Sequence, residues 1–265
     1  MSEAAISLRD LGFFYSPEVW ALRHCEATIM RGRVFALLGP NGRGKTTLLH
    51  LVIGALKPCE GSLEVKGRVA FVPQLFEVSF DYTALDMAMM GRARHIGLFA
   101  QPSRADEAAA LAALDRFGMA AYAERPFHAL SGGQRQLVIF ARALVAEADI
   151  LVLDEPTSAL DLENQALVLE RIAALTRDDG LTVVMTTHHP HHALAIADDV
   201  LLMHGQGDYR VGPSRALLTE DNLRALYGAP LKRLAFEYEG RSLETIAPVL
   251  TPARRETARE IARSA

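Results

Sequence analysis

A chain of 265 residues with 50% hydrophobic, 23% charged and 7% aromatic side chains has the make-up of a globular protein with a sizeable core, which excludes disordered, collagenous and disulfide-built classes. Its formal charge of −4 gives no global basic field for nucleic acid. No apolar run approaches the roughly 18 residues needed to span a bilayer, and the N-terminus lacks a charged-then-apolar signal pattern. A cytosolic protein is therefore expected, with any membrane role supplied by a partner. The length predicts one elaborated α/β domain. Cys25 and Cys59 predict a reducing compartment and small buried side chains, unpaired. Lysine is rare beside arginine (Lys45, Lys57, Lys66 and Lys232 only), so Lys45 stands out.

In chain order, the first 35 residues alternate in short apolar stretches (5–8, 13–15, 20–22, 27–30) broken by Gly, Pro and charges, which predicts short strands. A buried-type run, 34–38, meets a glycine-rich turn and a helical pattern from Lys45 to Leu56. Residues 62–65 and 69–72 read as a strand pair. From 83 to 145, Ala, Leu and Met dominate at helical spacing, which predicts an inserted helical subdomain. An apolar strand at 150–153, a helix at about 162–176, a strand at 182–186, a helix at 191–197 and a strand at 200–203 follow. Continuous apolar strands alternating with helices predict a parallel sheet covered on both faces. In the tail, 231–237 looks strand-like and 251–265 is a charged helix-former.

Strand, glycine turn and helix frame Gly39-Pro40-Asn41-Gly42-Arg43-Gly44-Lys45-Thr46, a full match to G-x-x-x-x-G-K-[ST]. The glycines let backbone N–H groups close around a β-phosphate, and the helix adds its positive end. Lys45 supplies a point charge to the β/γ-phosphates and the Thr46 hydroxyl can ligate Mg²⁺. Gly39, Asn41, Gly42, Gly44, Lys45, Thr46 and Thr47 are thus expected to bind nucleotide. A chance match would arise in roughly one chain per hundred of this length. Residues 150–153 deliver Asp154 at the carboxyl end of a buried strand, where it can hold Mg²⁺, and Glu155 can orient or deprotonate a water.

Leu130-Ser131-Gly132-Gly133-Gln134 completes the set. With this motif the sequence resembles the ATP-binding cassette (ABC) ATPases. Physically, Ser131 and two glycines at a helix N-terminus make a second anion site, redundant unless the chain pairs head to tail. In the family, this signature (Ser131, Gly132, Gly133, Gln134) caps the γ-phosphate bound on the other subunit. The resemblance further implies that Gln74, in Phe71-Val72-Pro73-Gln74, senses Mg²⁺ and the attacking water. It makes His188 a switch histidine on the γ-phosphate and Asp161 a residue communicating across the dimer. Catalysis is thereby expected of Glu155, His188 and Gln74, and Mg²⁺ ligation of Thr46, Gln74 and Asp154. Tyr15 sits where the family stacks an aromatic on adenine, with Phe13 and Phe14 as alternatives. Four histidines (188, 189, 191, 192) raise a metal-site alternative, although His188 is already required for phosphate.

The resemblance covers about residues 5–228. It implies a P-loop NTPase (RecA-like) α/β core with an N-terminal antiparallel β subdomain and an α-helical subdomain at about 80–146. Residues 1–228 form the ATPase domain and 229–265 a C-terminal extension. Met89-Met90-Gly91-Arg92-Ala93-Arg94-His95-Ile96-Gly97, its continuation 98–106, the run 131–144 and 161–165 look like the ATPases of type II importers, which carry metal chelates such as iron–siderophores, haem and cobalamin, or molybdate. Implied partners are two permease subunits, a second copy of the chain and, indirectly, a substrate-binding protein, with the ATPase held on the cytoplasmic face of the inner membrane. The groove between the helical subdomain and the Gln74 loop would receive a short permease helix. The other reading, a soluble ABC ATPase acting on nucleic acid or ribosomes, is disfavoured by the missing coiled-coil insertion, second cassette and basic face.

Overall fold

The computed structural model describes residues 3–74, 80–96 and 100–250. The expected tail helix at 251–265 and part of the importer-like stretch (97–99) lie outside them. Strands β1 (Ala4–Ser16) and β2 (Val19–Met30) pair antiparallel over most of their length. They are long rather than short. The Gly and charged residues that interrupt the apolar pattern fall at register shifts, with Asp10 and His24 at positive φ, so the strands bend instead of ending. Helix α1 (Lys45–Val52) stops short of the expected Leu56. Strand β4 (Glu60–Val65) adds to the free edge of β1, giving the order β2-β1-β4.

The expected pairing of β4 with β5 (Val69–Val72) does not form. Between them, the Arg68 amide donates to Asp149 Oδ2 at 2.7 Å, which turns the chain onto β6 (Ile150–Leu153) and into another sheet. That sheet has six strands: β3 (Val34–Leu38), β5, β6, β7 (Thr182–Thr187), β8 (Asp199–Gly205) and β9 (Asp208–Pro213). Their order is β5-β6-β7-β3-β8-β9, parallel except for β9, an edge strand that the sequence pattern did not show.

Strand β3 explains why a continuous apolar run is needed. Phe35 and Leu37 pack with β1, β2 and α1 on one face, whereas Val34, Ala36 and Leu38 join the helix-covered core on the other. Helices α2 (Ala84–Met89), α3 (Arg104–Arg116) and α4 (Gly132–Val145) form a contiguous helical layer on that second core. Each begins at a reciprocal capping box: Thr83 with Asp86, Ser103 with Asp106, Ser131 with Gln134. Gly91 permits the tight approach to α4, since a Cβ there would lie 2.1 Å from the Arg142 carbonyl oxygen. Nearby, the Ser103 hydroxyl and amide, with the Arg92 guanidinium, hold Asp106 at about 2.

Helix α5 (Leu162–Asp179) starts at Asp161, whose carboxylate caps the Asn164 amide, and α6 (Pro190–Ile196) starts one residue earlier than expected, at a proline. Helices α7 (Ser214–Leu217) and α8 (Glu220–Tyr227) lead to a hairpin, β10 (Leu231–Tyr238) and β11 (Arg241–Pro248), that packs on α6. Only the first strand of that hairpin was evident from the sequence. Both cysteines are free, but Cys59 is exposed rather than buried. Among the described residues no helix is long and apolar enough to cross a membrane.

His192, buried on α6, shares a hydrogen bond with the Thr157 hydroxyl at 3.2 Å, and burial first, then the neighbouring histidines, push it down to about 3. The unfolded chain therefore takes up a proton below its ordinary value that the folded chain refuses, so stability falls as pH drops from about 6.5 towards 3. Urea unfolding across that window should show a slope approaching about 1.4 kcal/mol per pH unit from this residue. His192→Gln should flatten it by that amount relative to wild type.

Candidate functional site

Four parallel strands release their chains at one edge of the sheet. After β3 comes the loop 39–44, after β5 Gln74, after β6 Asp154 and Glu155, and after β7 His188. Ligands of open α/β sheets bind outside such carboxyl ends. A cavity of about 500 Å³ opens there, lined among others by Tyr15, Asn41, Gly42, Gly44, Lys45, Thr46, Thr47, Gln74, Asp154 and Glu155. Gly44 has φ +85°, and a Cβ on it would lie 2.5 Å from the Ala21 carbonyl, so both backbone shape and β2 demand glycine. A Cβ on Gly39 would meet the Met203 carbonyl at 2.7 Å.

The Lys45 ammonium is buried and donates to the carbonyl oxygens of Gly39 at 2.7 Å and Pro40 at 3.0 Å. Burial lowers its pKa, against the opposing pull of Glu155 and Asp154. Thr46 Oγ1 donates to Asp154 Oδ2 at 3.1 Å, and the Thr186 hydroxyl donates to Asp154 Oδ1 at 2.6 Å. The same Thr186 oxygen accepts the Glu155 amide at 2.8 Å. Thr186 thus ties the two acidic residues to β7. Glu155 itself stands at φ +45°, an uncommon conformation for a non-glycine residue and one that clusters at functional sites. Its Oε2 accepts Gln74 Nε2 at 3.2 Å and lies 3.0 Å from His188 Nδ1.

The donor set at Thr46, Asp154 and Gln74 (hydroxyl, carboxylate, amide) is hard oxygen, which fits Mg²⁺ bound together with phosphates. The carboxylate, imidazole and amide clustered at Glu155 can together hold a water. Of the three aromatics considered for adenine, Tyr15 lines the cavity: it is 64% exposed and its hydroxyl shares a 3.1 Å hydrogen bond with the Thr47 hydroxyl. Phe13 is buried beneath it, with ring centroids 5.1 Å apart, and Phe14 packs on Trp20. Val19, Trp20 and Ala21 also line the cavity, a contribution of β2 that read only as strand in the sequence.

Ser131, Gly132, Gly133 and Gln134 are not part of that cavity. They open α4 at an outward-facing N-terminus, where Ser131 Oγ accepts the Gln134 amide at 3.2 Å and Gln134 Oε1 accepts the Ser131 amide at 3.0 Å. Asp161 is likewise exposed and caps α5. The two elements adjoin, since Gly133 lies against the Leu160 side chain. His188 faces Glu155 and His192 is bonded to Thr157, and among the described residues no group of three or more His, Cys, Asp or Glu side chains is placed to hold a metal ion.

Two residues at the site escaped the sequence. Thr186 read as the end of a strand. Tyr227 closes a neighbouring cavity of about 350 Å³ with Gly39, Pro40, Asn41, Glu155 and His188. Its position before the helix-ending Gly228 resembles ordinary core. Burial first, then the Glu155 carboxylate, push the Tyr227 phenol up.

A parallel-sheet nucleotide site with a signature helix beside it defines an ATP-binding cassette, and comparison with known proteins agrees. The family profile described as ABC transporter matches residues 22–158. The molybdate import ATP-binding protein MolC of Haemophilus influenzae is 42% identical over 235 residues, 89% of this chain and 92% of MolC. A structure described as a metal-chelate type ABC transporter in an inward-facing conformation superposes with a TM-score of 0.87 at 40% identity, covering 94% of this chain and 98% of that one. A cassette solved as a dimer in a post-hydrolysis state with ADP and phosphate superposes with a TM-score of 0.71 at 26% identity, covering 79% and 99%. The chain belongs to the ABC transporter family, as a member of its ATP-hydrolysing domain class.

Replacing Thr186 with valine leaves the volume but removes both hydrogen bonds to the acidic pair. Because those groups are buried, thermal or urea unfolding should register a loss of about 1–3 kcal/mol. Steady-state ATPase assays should show a lower kcat.

Proposed function

We propose that this chain is the energy-coupling ATPase of a type II importer for a metal chelate or an oxyanion. Two copies work head to tail on two permease subunits. The observation that carries the reading is the outward-facing signature helix. Ser131–Gln134 forms an anion-binding helix N-terminus that the chain's own phosphate cavity does not use, so a second copy's phosphate is its natural ligand. The dimeric relative with ADP and phosphate supports this pairing. MolC and the metal-chelate transporter support the substrate class.

In the proposed mechanism the loop amides of Gly39, Asn41, Gly42 and Gly44, with Lys45, Thr46 and Thr47, hold the phosphates of ATP, and Tyr15 packs on the adenine. Thr46 and Asp154, with Gln74, would hold Mg²⁺, which neutralises charge on the β- and γ-oxygens when bound. Glu155 orients a water and accepts its proton as the water oxygen bonds to the γ-phosphorus and the bond to the ADP oxygen breaks. His188 donates to the γ-phosphate. Ser131, Gly132, Gly133 and Gln134 of one copy cap the phosphate on the other, and Asp161 communicates across the seam. ATP binding then closes the pair and hydrolysis reopens it.

The permease helix is proposed to enter the groove of about 290 Å³ between β5 and the helical layer, lined by Phe71, Met90, Gly91, Arg94 and Ala143. Docking there would place the chain peripherally on the cytoplasmic face of the inner membrane, with a substrate-binding protein engaged only through the permease. Residues 1–228 serve as the ATPase domain, with 80–146 as its helical part, and 229–265 as an extension. Nothing among the described residues favours the reading as a nucleic-acid or ribosome ATPase.

Glu155→Gln should retain ATP binding, lose about 10²–10⁴-fold in turnover and trap an ATP-dependent dimer on size exclusion. Wild-type hydrolysis by that variant would remove Glu155 from catalysis. Lys45→Ala should abolish nucleotide binding in a fluorescent-nucleotide titration.

A further inference from the structure

Helix α8 carries none of the cassette motifs, yet its last residue, Tyr227, reaches the hydrolysis site. The ring packs against the helix-side core, and the residue lines the cavity shared by Gly39, Pro40, Asn41, Glu155 and His188. Its hydroxyl is buried; the Gly39 amide is its one backbone neighbour, as a donor to the phenol oxygen, and no acceptor for the phenol proton is present among the described residues. Buried polar groups are as a rule hydrogen-bonded, so a phenol kept at this position calls for an acceptor.

The acceptors around it are few. The Gly39 and Pro40 carbonyls already take the Lys45 ammonium. The Oε2 atom of Glu155 takes Gln74 and faces His188, whereas its Oε1 atom has no partner among the described residues. The Glu155 backbone stands in the left-handed region, so the direction of its carboxylate depends on what the side chain touches. In the proposed cycle Gln74 and His188 both turn towards phosphate, and the carboxylate would lose its two present contacts.

We propose that Tyr227 is a positioning residue for Glu155: its hydroxyl donates to the Glu155 carboxylate, directly or through one water, and keeps it aimed while Gln74 and His188 serve the nucleotide. The proposal rests on the assignment of Glu155 to catalysis. It also links the C-terminal hairpin to the chemistry, because Glu220 at the start of α8 holds Lys232 at 2.9 Å and the Arg233 amide at 3.2 Å on β10.

The test uses the full-length chain. Tyr227→Phe should lower kcat about tenfold, the worth of one hydrogen bond at the transition state, while ATP affinity and melting temperature stay at wild-type values. Independently of turnover, the ¹⁹F resonance of 3-fluorotyrosine at 227, identified by its disappearance in Tyr227→Phe, should move when Glu155 is replaced by glutamine. A wild-type kcat in Tyr227→Phe overturns the proposal, and so does a resonance indifferent to Glu155→Gln. If only Tyr227→Ala is impaired, the ring merely packs and the proposal falls. Normal hydrolysis by Glu155→Gln would sink the catalytic assignment and this inference together, whereas normal hydrolysis by Tyr227→Phe alone sinks only this one.

Discussion

The structure turns on one lysine ammonium taken out of water. Lys45 is 7% exposed, and an isolated charge at that depth would neutralise or unfold its surroundings. Here the carbonyls of Gly39 and Pro40 solvate it, and the acidic pair Asp154 and Glu155 favours its charged form. Those carbonyls can face inwards only because the loop is built from glycines that β2 and β8 press against. Those acids can stand close only because a fully buried strand ends beside the loop. The parallel sheet, the glycine spacing and the acid pair thus answer one electrostatic requirement.

Thr186 shows how the requirement spreads beyond the motif residues. Asp154 and Glu155 are adjacent in sequence, and β7 holds each differently, taking the amide of Glu155 and the carboxylate of Asp154 through the single Thr186 hydroxyl. The left-handed backbone of Glu155 is held from outside its own strand. On the proposed reading, motif residues would supply the chemistry and residues without a motif would aim it.

The sequence made the core strands, the phosphate loop, the acid pair and the signature legible because each is a local pattern. Apolar runs, glycine spacing and a capping box all act within a few residues. Where the reading failed, the deciding contact was distant. β4 leaves β5 because of Asp149, and β1 and β2 run through their polar interruptions because register shifts absorb them. β9 and β11 (Asp208–Pro213 and Arg241–Pro248) have fewer apolar residues than β10, broken by charges, Gly or Pro, and so do not announce themselves. Thr186 and Tyr227 look like a strand end and a core aromatic until the fold brings β7 and α8 beside Glu155. Tyr15, preferred over Phe13 on the resemblance, is the ring that faces outwards, whereas Phe13 is buried.

The outward-facing signature helix carries a consequence for mass action. On the proposed head-to-tail pairing, neither copy holds a complete site, so the activity of isolated chains at low concentration should rise with the square of their concentration. A scaffold that tethers two copies replaces that dependence with an effective concentration in the millimolar range for short, flexible connections. The membrane partner would then act as a concentrator, and a free subunit diluted in the cytosol would consume little ATP.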